Sequence, residues 1–354
     1  MQLEQLETPA LVLDMDAFDY NMSVMNTFIE SSGMALRPHY KSHKSTAIAH
    51  MQIAAGAKGI TCAKLSEADD LVLAGIDDVL IANQIVEPVK LARAAYLAKC
   101  CRLTLCVDNL KNIRDIENAA AAQKSTIYCL VEYEIGMNRC GVDTPEAFLE
   151  LAQEIERSPH LAFEGVQAYA GNLAHEEDYE SRKSGSKKVE ERLRELCDYI
   201  NQQGLVIKEV SGASTGTVEF RTKDSIYTEV QPGSYIFMDT SYGALNLKFK
   251  NALFVVSTVM SIRGTNIILD AGRKSISIDQ KIPAVKAGLQ IQVEKISEEH
   301  CTISAQNSNA FIGDRVLLVP SHCCTTVNLH DYIYMFRQGK VINRIRVDSR
   351  GKSL

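Results

Sequence analysis

The sequence lacks the features of a nucleic-acid-binding or membrane-spanning protein. It carries 38 Lys and Arg residues against 44 Asp and Glu residues, which gives a formal net charge of -6, and it has no long run of basic residues. Binding to a phosphate backbone requires a basic stripe, so nucleic acid is excluded as a partner. The longest apolar stretches fall far short of the roughly 20 residues that span a bilayer, so we expect no membrane-spanning segment.

A secretory signal is also missing. The N-terminal sequence, MQLEQLETPALVLDMD, does not place a basic segment before an apolar one. The ten cysteines lie mostly inside apolar, strand-like runs such as LTLCVD and IYCLVEY, where cysteine behaves as a small hydrophobic residue. Thiols stay reduced in the cytoplasm, so we expect a cytoplasmic protein without a disulfide framework.

Between about residues 15 and 245, apolar runs alternate with amphipathic helical stretches. Eight runs have the character of strands: ALRPHYK, KGITCA, DVLIANQ, RLTLCVD, STIYCLVEY, AFEGVQAYA, VIKEVSG and YTEVQPG. Strands that alternate with helices form parallel sheets, and eight is the number that closes a (β/α)8 barrel. An open doubly wound sheet is the alternative, but no GxGxxG turn follows the first strand. We therefore predict an α/β fold with a TIM-type barrel over residues 15–245.

The pattern changes after about residue 246. From LKFKNALFVVSTVM onward, apolar residues alternate with polar or small ones and helical periods are few, which is typical of antiparallel strands. We predict a C-terminal antiparallel β domain at 246–354, completed by an N-terminal strand within 1–14. A chain of 354 residues exceeds what one hydrophobic core usually serves, which agrees with two domains.

The first predicted barrel strand ends in a cluster of basic side chains, RPHYKSHK. Reactive groups in such barrels collect where the strands end. If the segment stays extended, His39, Lys41 and His43 share one face. Neighbouring cations favour the neutral form of an amine, which is the form that attacks a carbonyl. Lys41 is therefore our candidate for a Schiff-base lysine, and a surface basic cluster is the alternative.

Two loops rich in Gly, Ser and Thr follow the last two predicted barrel strands. Such loops expose backbone N–H groups and hydroxyls that can hold a phosphate dianion, and barrels often bind phosphate after strands seven and eight. Either loop alone is a weak signal, because Gly/Ser turns are common. The candidate phosphate-binding residues are Ser214, Thr215, Gly216, Thr217, Gly233, Ser234 and Tyr235.

The fifth and sixth predicted strands supply further candidates for binding a cofactor. Arg139 could pair with an anionic oxygen of the cofactor or form an ion pair with Glu132 or Glu134, and the pattern does not separate these alternatives. Gln167 and Tyr169 lie on one face of the sixth strand.

In the predicted β domain, PSHCCTTVNLHD places His322 and Cys324 at positions i and i+2. An extended segment would point both side chains to one side. Imidazole and thiolate are good ligands for first-row metals, and the sulfur favours zinc over magnesium or manganese. Two protein ligands leave positions for water or substrate. Two unrelated residues in a strand are the alternative.

Taken together, several motifs resemble one enzyme family. They are TPALVLDMDAFDYN, LRPHYKSHKS, GITCAKLSEA, DVLIANQIV, VQAYAGN, SGASTGT, VQPGSYIFMD, LDAGRKSISID and PSHCCTTVNLHD, which extend over about residues 7–335. The family is that of D-serine dehydratase and D-threonine aldolase, the metal-dependent, alanine-racemase-like pyridoxal-phosphate enzymes of fold type III.

The resemblance implies roles for most of the candidate residues. Lys41 would be the cofactor lysine, Arg139 and Tyr169 would lie beside the cofactor ring, and the two loops would surround the phosphate. His322 and Cys324 would bind the metal, and the enzyme would be a homodimer. Thr325 stands where many relatives have Pro.

The resemblance also implies a lyase that acts on D-β-hydroxy amino acids. Because Cys324 matches the dehydratase type and the aldolase type resembles His-x-Asp, we predict a zinc-dependent D-serine dehydratase that forms pyruvate and ammonia. The first alternative is a D-threonine aldolase, which gives glycine and an aldehyde. An amino-acid racemase or a non-catalytic pyridoxal-phosphate carrier is the second alternative.

Overall fold

The fold is taken from a computed structural model that describes residues 1–286, 291–305 and 310–354. The chain forms two compact units. The first consists of Met1–Met25, Ser42–Ala47 and Ser234–Gly351, and the second consists of Asn26–Lys41, Ile48–Gly233 and Lys352–Leu354. We call these the β unit and the barrel unit. The domain limits expected from the sequence, 15–245 and 246–354, stay a prediction.

The barrel unit contains eight parallel strands. They are β2 (Ala35–Leu36), β3 (Ile60–Cys62), β4 (Asp78–Ile81), β5 (Arg102–Val107), β6 (Ile127–Glu132), β7 (Leu161–Ala168), β8 (Glu209–Gly212) and β9 (Glu229–Val230). The strand order is β2-β9-β8-β7-β6-β5-β4-β3, and a parallel bridge between His39 and Thr61 joins the two end strands. All eight predicted runs therefore contain a strand, and the predicted barrel is confirmed.

An α-helix lies between each pair of consecutive barrel strands from β2 to β8, and a 3-10 turn, Val218–Phe220, lies between β8 and β9. The helices of the described chain are α1 (Met15–Ser32), α2 (Thr46–Ala54), α3 (Leu65–Leu73), α4 (Pro88–Leu97), α5 (Leu110–Gln123), α6 (Pro145–Arg157), α7 (Tyr179–Gln202), α8 (Thr240–Gly243) and α9 (Cys323–Val327). The predicted cap of α6 is present, because the Thr144 side chain accepts the N–H of Ala147 and Pro145 begins the helix. No helix within the described parts of the chain combines the length and the apolar character required to cross a membrane.

A buried ionic network fills the barrel at the N-terminal ends of the strands. Arg37 is 4% exposed and lies 3.0 Å from Glu229 and 2.7 Å from Asp78. Lys58 lies 3.2 Å from Glu229 on another side. Asp78 and Glu229 are the first residues of β4 and β9, so the network joins strands on two sides of the barrel. Side chains at the N-terminal ends of the strands in such a barrel contribute to stability, whereas catalytic groups lie at the C-terminal ends.

The β unit contains a largely antiparallel sheet. Its strands are β1 (Ala10–Asp14), β10 (Leu253–Arg263), β11 (Asn266–Leu269), β12 (Ala284–Val285), β13 (Ile291–Ile296), β14 (Cys301–Ala305), β15 (Arg315–Val319), β16 (Tyr332–Arg337) and β17 (Lys340–Arg346). β1 pairs antiparallel with β10 and parallel with β16, so the N-terminal strand lies inside this sheet. The alternation is seen in β11, where buried residues alternate with more exposed ones, whereas consecutive residues in most of β1 and in the first half of β10 are all buried.

Candidate functional site

A cavity of about 210 Å³ lies at the carboxyl ends of the barrel strands. It is lined by His39, Lys41, Ala63, Ala82, Asn83, Gln84, Glu132, Arg139, Cys140, Gln167, Tyr169 and Gln231. Four residues that the sequence singled out for the cofactor thus meet in one place: Lys41, Arg139, Gln167 and Tyr169. This end of the barrel is where the active sites of such barrels are found.

Lys41 reaches the cavity from a short 3-10 turn, Tyr40–Ser42, and not from an extended strand. β2 ends at Leu36, and Pro38 has no N–H with which to continue a ladder. The segment does not stay extended, so the condition under which His39, Lys41 and His43 would share one face is not met. The His39 Nδ1 accepts the backbone N–H of Lys41 at 3.3 Å, which fixes the turn, and the Lys41 Nζ lies 5.6 Å from the centre of the Tyr169 ring.

The loop that carries Arg139 is fixed by Glu134. Burial would raise the pKa of the Glu134 carboxyl, but backbone N–H groups of Asn138, Gly136 and Arg139 donate to it and lower that pKa. Glu134 therefore binds the backbone of Arg139. Glu134 thus contacts the main chain of this loop, and Arg139 lines the cavity together with Glu132, whose carboxyl its charge affects.

Glu132 and Gln84 are cavity residues that the sequence analysis missed as a site. The Gln84 Nε2 donates to the Glu132 Oε2 at 2.5 Å. Burial raises the pKa of the Glu132 carboxyl, and the Gln84 hydrogen bond and the charge of Arg139 act in the opposite direction. The signal was present, because Gln84 follows β4 and Glu132 ends β6, and polar residues at strand ends are candidates in this fold.

Gln167 is held in place by a chain of buried hydrogen bonds. The Gln231 Nε2 donates to the Gln167 Oε1 at 2.8 Å and to the Ser211 Oγ at 2.6 Å. The Ser211 Oγ donates in turn to the Glu229 Oε1 at 2.5 Å. This chain connects the cavity to the ionic network at the opposite end of the barrel. Gln231, which directly follows β9, was not predicted from the sequence.

The predicted phosphate loop after β8 is compact and buried. The Thr217 Oγ1 accepts the N–H of Ser214 at 3.0 Å, and Thr215 is only 1% exposed. The Thr215 Oγ1 has no hydrogen-bond partner among the described residues. A buried hydroxyl without a partner is costly, so this atom marks a place where a ligand can bind. Gly212 allows the close approach of the chains here, because a Cβ would overlap the carbonyl oxygen of Ala168.

The second predicted phosphate loop follows β9. Gly233 precedes a 3-10 turn, Ser234–Ile236, in which Ser234 and Tyr235 are both buried. The Tyr235 hydroxyl donates to the Met22 Sδ at 3.4 Å, and its ring packs beside Phe249. The side chain of Tyr235 therefore belongs to the core of the β unit.

The predicted metal ligands His322 and Cys324 lie at the start of α9, where their side chains interact. His322 has an extended backbone and precedes the helix, whereas Cys324 lies inside it, so the expected extended geometry is wrong for Cys324. Helix formation starts here because the Asp239 carboxylate accepts the N–H of Cys323 at 2.9 Å. Burial would lower the pKa of His322, but contacts with Cys324 and Asp279 raise it to about 9.

Further contacts surround this pair. The His322 Nδ1 lies 2.8 Å from the Asp279 Oδ2, and the Cys324 Sγ lies 3.5 Å from the Oγ of Ser42, the residue that follows Lys41 in the chain. Where the structure describes the chain, it contains no group of three or more His, Cys, Asp or Glu side chains suited to a metal ion. The donor set is thus one nitrogen and one sulfur, and a carboxylate contacts the other ring nitrogen, as is common around protein-bound metals.

Comparisons with known proteins identify the family of the chain. The family model "Alanine racemase, N-terminal domain" matches residues 13–241, and the model of a serine dehydratase domain matches 252–336. A 3-hydroxy-D-aspartate aldolase from Paracoccus denitrificans is 36% identical, covering 99% of this chain and 94% of its own. A D-threonine aldolase from an Arthrobacter species is 37% identical with the same coverage. A D-serine dehydratase from Dictyostelium discoideum is 23% identical.

Solved structures give the same result. The crystal structure of D-threonine aldolase from Filomicrobium marinum has a TM-score of 0.98 at 37% identity and covers 100% of this chain and 98% of its own. D-threo-3-hydroxyaspartate dehydratase from Delftia has a TM-score of 0.88 at 25% identity, with 98% of both chains covered. Pyridoxal phosphate and a divalent metal are the cofactors in this group of enzymes, as the sequence predicted. The protein is thus a lyase and belongs to the D-serine dehydratase and D-threonine aldolase family of alanine-racemase-like pyridoxal-phosphate enzymes.

Proposed function

We propose that the protein is an aldolase that cleaves the Cα–Cβ bond of D-β-hydroxy amino acids. The observation that carries this proposal is the match of two aldolases, at 36% and 37% identity, over 99% of the chain. Cys324 favoured D-serine dehydration in the sequence analysis, but the D-serine dehydratase from Dictyostelium discoideum is only 23% identical to this chain. The comparisons therefore support the alternative reaction, release of glycine and an aldehyde, over the reaction first predicted.

The barrel unit has the groups that pyridoxal phosphate requires. Lys41 supplies a primary amine in the cavity. The buried Thr215 hydroxyl, which has no hydrogen-bond partner among the described residues, could donate to a phosphate oxygen. Arg139, Gln167 and Tyr169 line the same cavity and would contact the ring. The Ser214–Thr217 loop, with Gly233 and Ser234, would hold the phosphate. When bound, the cofactor supplies an electron sink for negative charge at Cα.

The His322 and Cys324 pair has the donor atoms for zinc, with manganese and magnesium as less suitable ions. A structure of a D-threo-3-hydroxyaspartate dehydratase in which a cysteine is replaced by alanine is a metal-free form, and in a second structure of an enzyme of that name a histidine two positions earlier is replaced by alanine. That spacing equals the spacing of His322 and Cys324. When bound, the metal supplies a Lewis acid for the β-oxygen of the substrate.

Proton transfers at two substrate atoms distinguish the possible reactions. In retro-aldol cleavage the β-hydroxyl loses its proton, the electrons of the Cα–Cβ bond stay on Cα, and Cα gains a proton. In dehydration Cα loses its proton and the β-hydroxyl leaves as water. The Lys41 Nζ could donate the proton that Cα gains in cleavage and accept the proton that Cα loses in dehydration, because lysine is one of the side chains used for general acid–base catalysis. The same residues thus serve both reactions, and Cys324 keeps dehydration as the second candidate.

Substrate turnover by the purified protein tests this proposal. D-Threonine, 3-hydroxy-D-aspartate and D-serine are offered with their L-enantiomers, and glycine, aldehyde, pyruvate and ammonia are measured. Glycine with one equivalent of aldehyde from a D-substrate supports the aldolase. Pyruvate and ammonia from D-serine alone would replace it by the dehydratase. Only the opposite enantiomer would indicate a racemase, and no product would indicate a carrier. Size-exclusion chromatography with light scattering tests the expected homodimer.

A further inference from the structure

His322 is held by a carboxylate that no role in the reaction accounts for. The Asp279 Oδ2 lies 2.8 Å from the His322 Nδ1, and the same imidazole hydrogen bonds with Cys324. With Nδ1 engaged by Asp279, Nε2 is the ring nitrogen that remains for the side of Cys324. The carboxylate therefore sets which way the ring faces.

Asp279 is itself held by two hydroxyls. The Ser277 Oγ donates to the Asp279 Oδ1 at 2.5 Å, and the Thr325 Oγ1 donates to the same oxygen at 3.0 Å. One carboxylate oxygen is thus bound by hydroxyls and the other faces the imidazole. Thr325 follows Cys324 directly, so the contact also connects Asp279 to the helix that carries the sulfur. A proline at position 325 could not donate this bond.

We propose that Asp279 is a positioning residue for the metal ligand His322, supported by Ser277 and Thr325. A carboxylate on the distal ring nitrogen fixes the imidazole tautomer with its proton on Nδ1 and makes Nε2 a better donor to a metal ion. This inference rests on the proposed metal role of His322 and Cys324. Asp279 does not itself bind the metal.

A surface ion pair is the simpler explanation, because Asp279 is 43% exposed. An exposed ion pair contributes little to stability, and on this explanation its removal would leave metal affinity unchanged. The two explanations therefore differ in metal affinity, which falls by about 10- to 100-fold when such a partner of a ligand is removed.

The experiment is a Co²⁺ titration of the cofactor-loaded, chelator-stripped protein, followed by the thiolate-to-cobalt absorption band and by turnover. Asp279→Ala should weaken Co²⁺ binding by about 10- to 100-fold, with the band and turnover restored at high Co²⁺. Asp279→Asn, which keeps an acceptor without the charge, and Thr325→Val, which removes one supporting hydroxyl, should show smaller losses. Glu299→Gln is the matched control, because Glu299 is an exposed carboxylate that pairs with Lys274 on the surface.

The ligand variants separate the two levels of the argument. His322→Ala and Cys324→Ser should abolish the absorption band. Wild-type binding in these two variants would overturn the metal part of the proposed function. Loss of binding in them, together with wild-type affinity in Asp279→Ala and Asp279→Asn, would overturn the positioning role alone. If Asp279→Ala does not fold, the Asn and Thr325→Val variants decide the question.

Discussion

The Thr215 hydroxyl provides the most direct test of the cofactor site. Its Oγ1 is buried and has no hydrogen-bond partner among the described residues, in a loop whose other side chains bond to one another. A buried hydroxyl left in this state costs about 1–3 kcal/mol. A hydrogen bond to a charged group contributes about 1.5–3 kcal/mol. Thr215→Val, which keeps the shape of the side chain, should therefore change the empty and the loaded protein in opposite directions.

For the cofactor-free protein, we expect Thr215→Val to leave the free energy of unfolding unchanged or to raise it by about 1 kcal/mol, because the cost of the unpaired hydroxyl is removed. For the loaded protein, loss of a bond to the phosphate dianion should weaken binding of pyridoxal phosphate by about 10- to 150-fold. Urea unfolding of the cofactor-free protein and an absorbance titration with pyridoxal phosphate measure the two quantities.

Ser125→Ala is the matched control. The Ser125 Oγ is also buried without a partner among the described residues, but it precedes β6 at the opposite end of the barrel from the cavity. Loss of the Ser125 hydroxyl should likewise leave the free energy of unfolding unchanged or raise it, and the affinity for pyridoxal phosphate should stay at the wild-type value. An unchanged cofactor affinity in Thr215→Val would remove Thr215 from the phosphate site. A loss of more than about 1 kcal/mol in its cofactor-free form would show that the hydroxyl is already paired.

Three further predictions concern the barrel unit. Lys41→Ala should eliminate the borohydride-reducible mass adduct with pyridoxal phosphate, and an adduct of unchanged yield would show that another amine forms it. Glu229→Gln should lower the free energy of unfolding by about 3–5 kcal/mol at neutral pH, because it leaves the buried Arg37 charge partly unpaired. The control is Glu87→Gln, which removes an exposed carboxylate paired with Lys90 and should cost less than about 1 kcal/mol. Burial would raise the pKa of Glu229, but Arg37, Lys58 and Ser211 lower it. The stabilisation that this carboxylate provides is therefore complete above its unfolded-state pKa of about 4.3 and decreases as the pH falls through its folded-state pKa. The difference in urea midpoint between the wild type and Glu229→Gln should thus shrink in acid. Gly212→Ala should cost about 1–3 kcal/mol or more in urea unfolding and weaken cofactor binding, because its Cβ would overlap the main chain, whereas Gly243→Ala, with open space around it, should do neither.

The barrel could be predicted because its signal is repeated. Most of the eight strands are short apolar runs buried on both faces, and the pattern recurs along the chain, so errors at single runs do not change the result. Caps such as that of Thr144 and Pro145 are equally local. The N-terminal strand β1 was predicted to complete the β domain, but its partners β10 and β16 lie more than 200 residues away, so no local pattern could name them.

The site was predicted less completely, for physical reasons that differ from residue to residue. Lys41 was identified as an amine at a strand end, but its 3-10 turn depends on Pro38 and on the His39 ring, which no periodicity shows. Gln84, Glu132 and Gln231 were missed although each lies at or just after the end of a strand, because that position marks a candidate but does not show which polar residues line the cavity. Tyr235 was assigned to the phosphate from a Gly-Ser-Tyr sequence, although its hydroxyl lies at Met22.

The choice between cleavage and dehydration depends on a small difference in free energy. A hundredfold preference for one product corresponds to about 2.7 kcal/mol between two transition states. Cys324 in place of a carboxylate changes charge donation to the metal, and its Sγ also contacts Ser42, beside Lys41 in the chain. One ligand atom can shift the balance by that amount, but so can any side chain that orients the β-hydroxyl. Sequence identity over the whole chain reflects all of these side chains together, whereas the His-x-Cys motif reflects only one metal ligand. For this reason the overall identity to the aldolases supports retro-aldol cleavage more strongly than Cys324 supports dehydration.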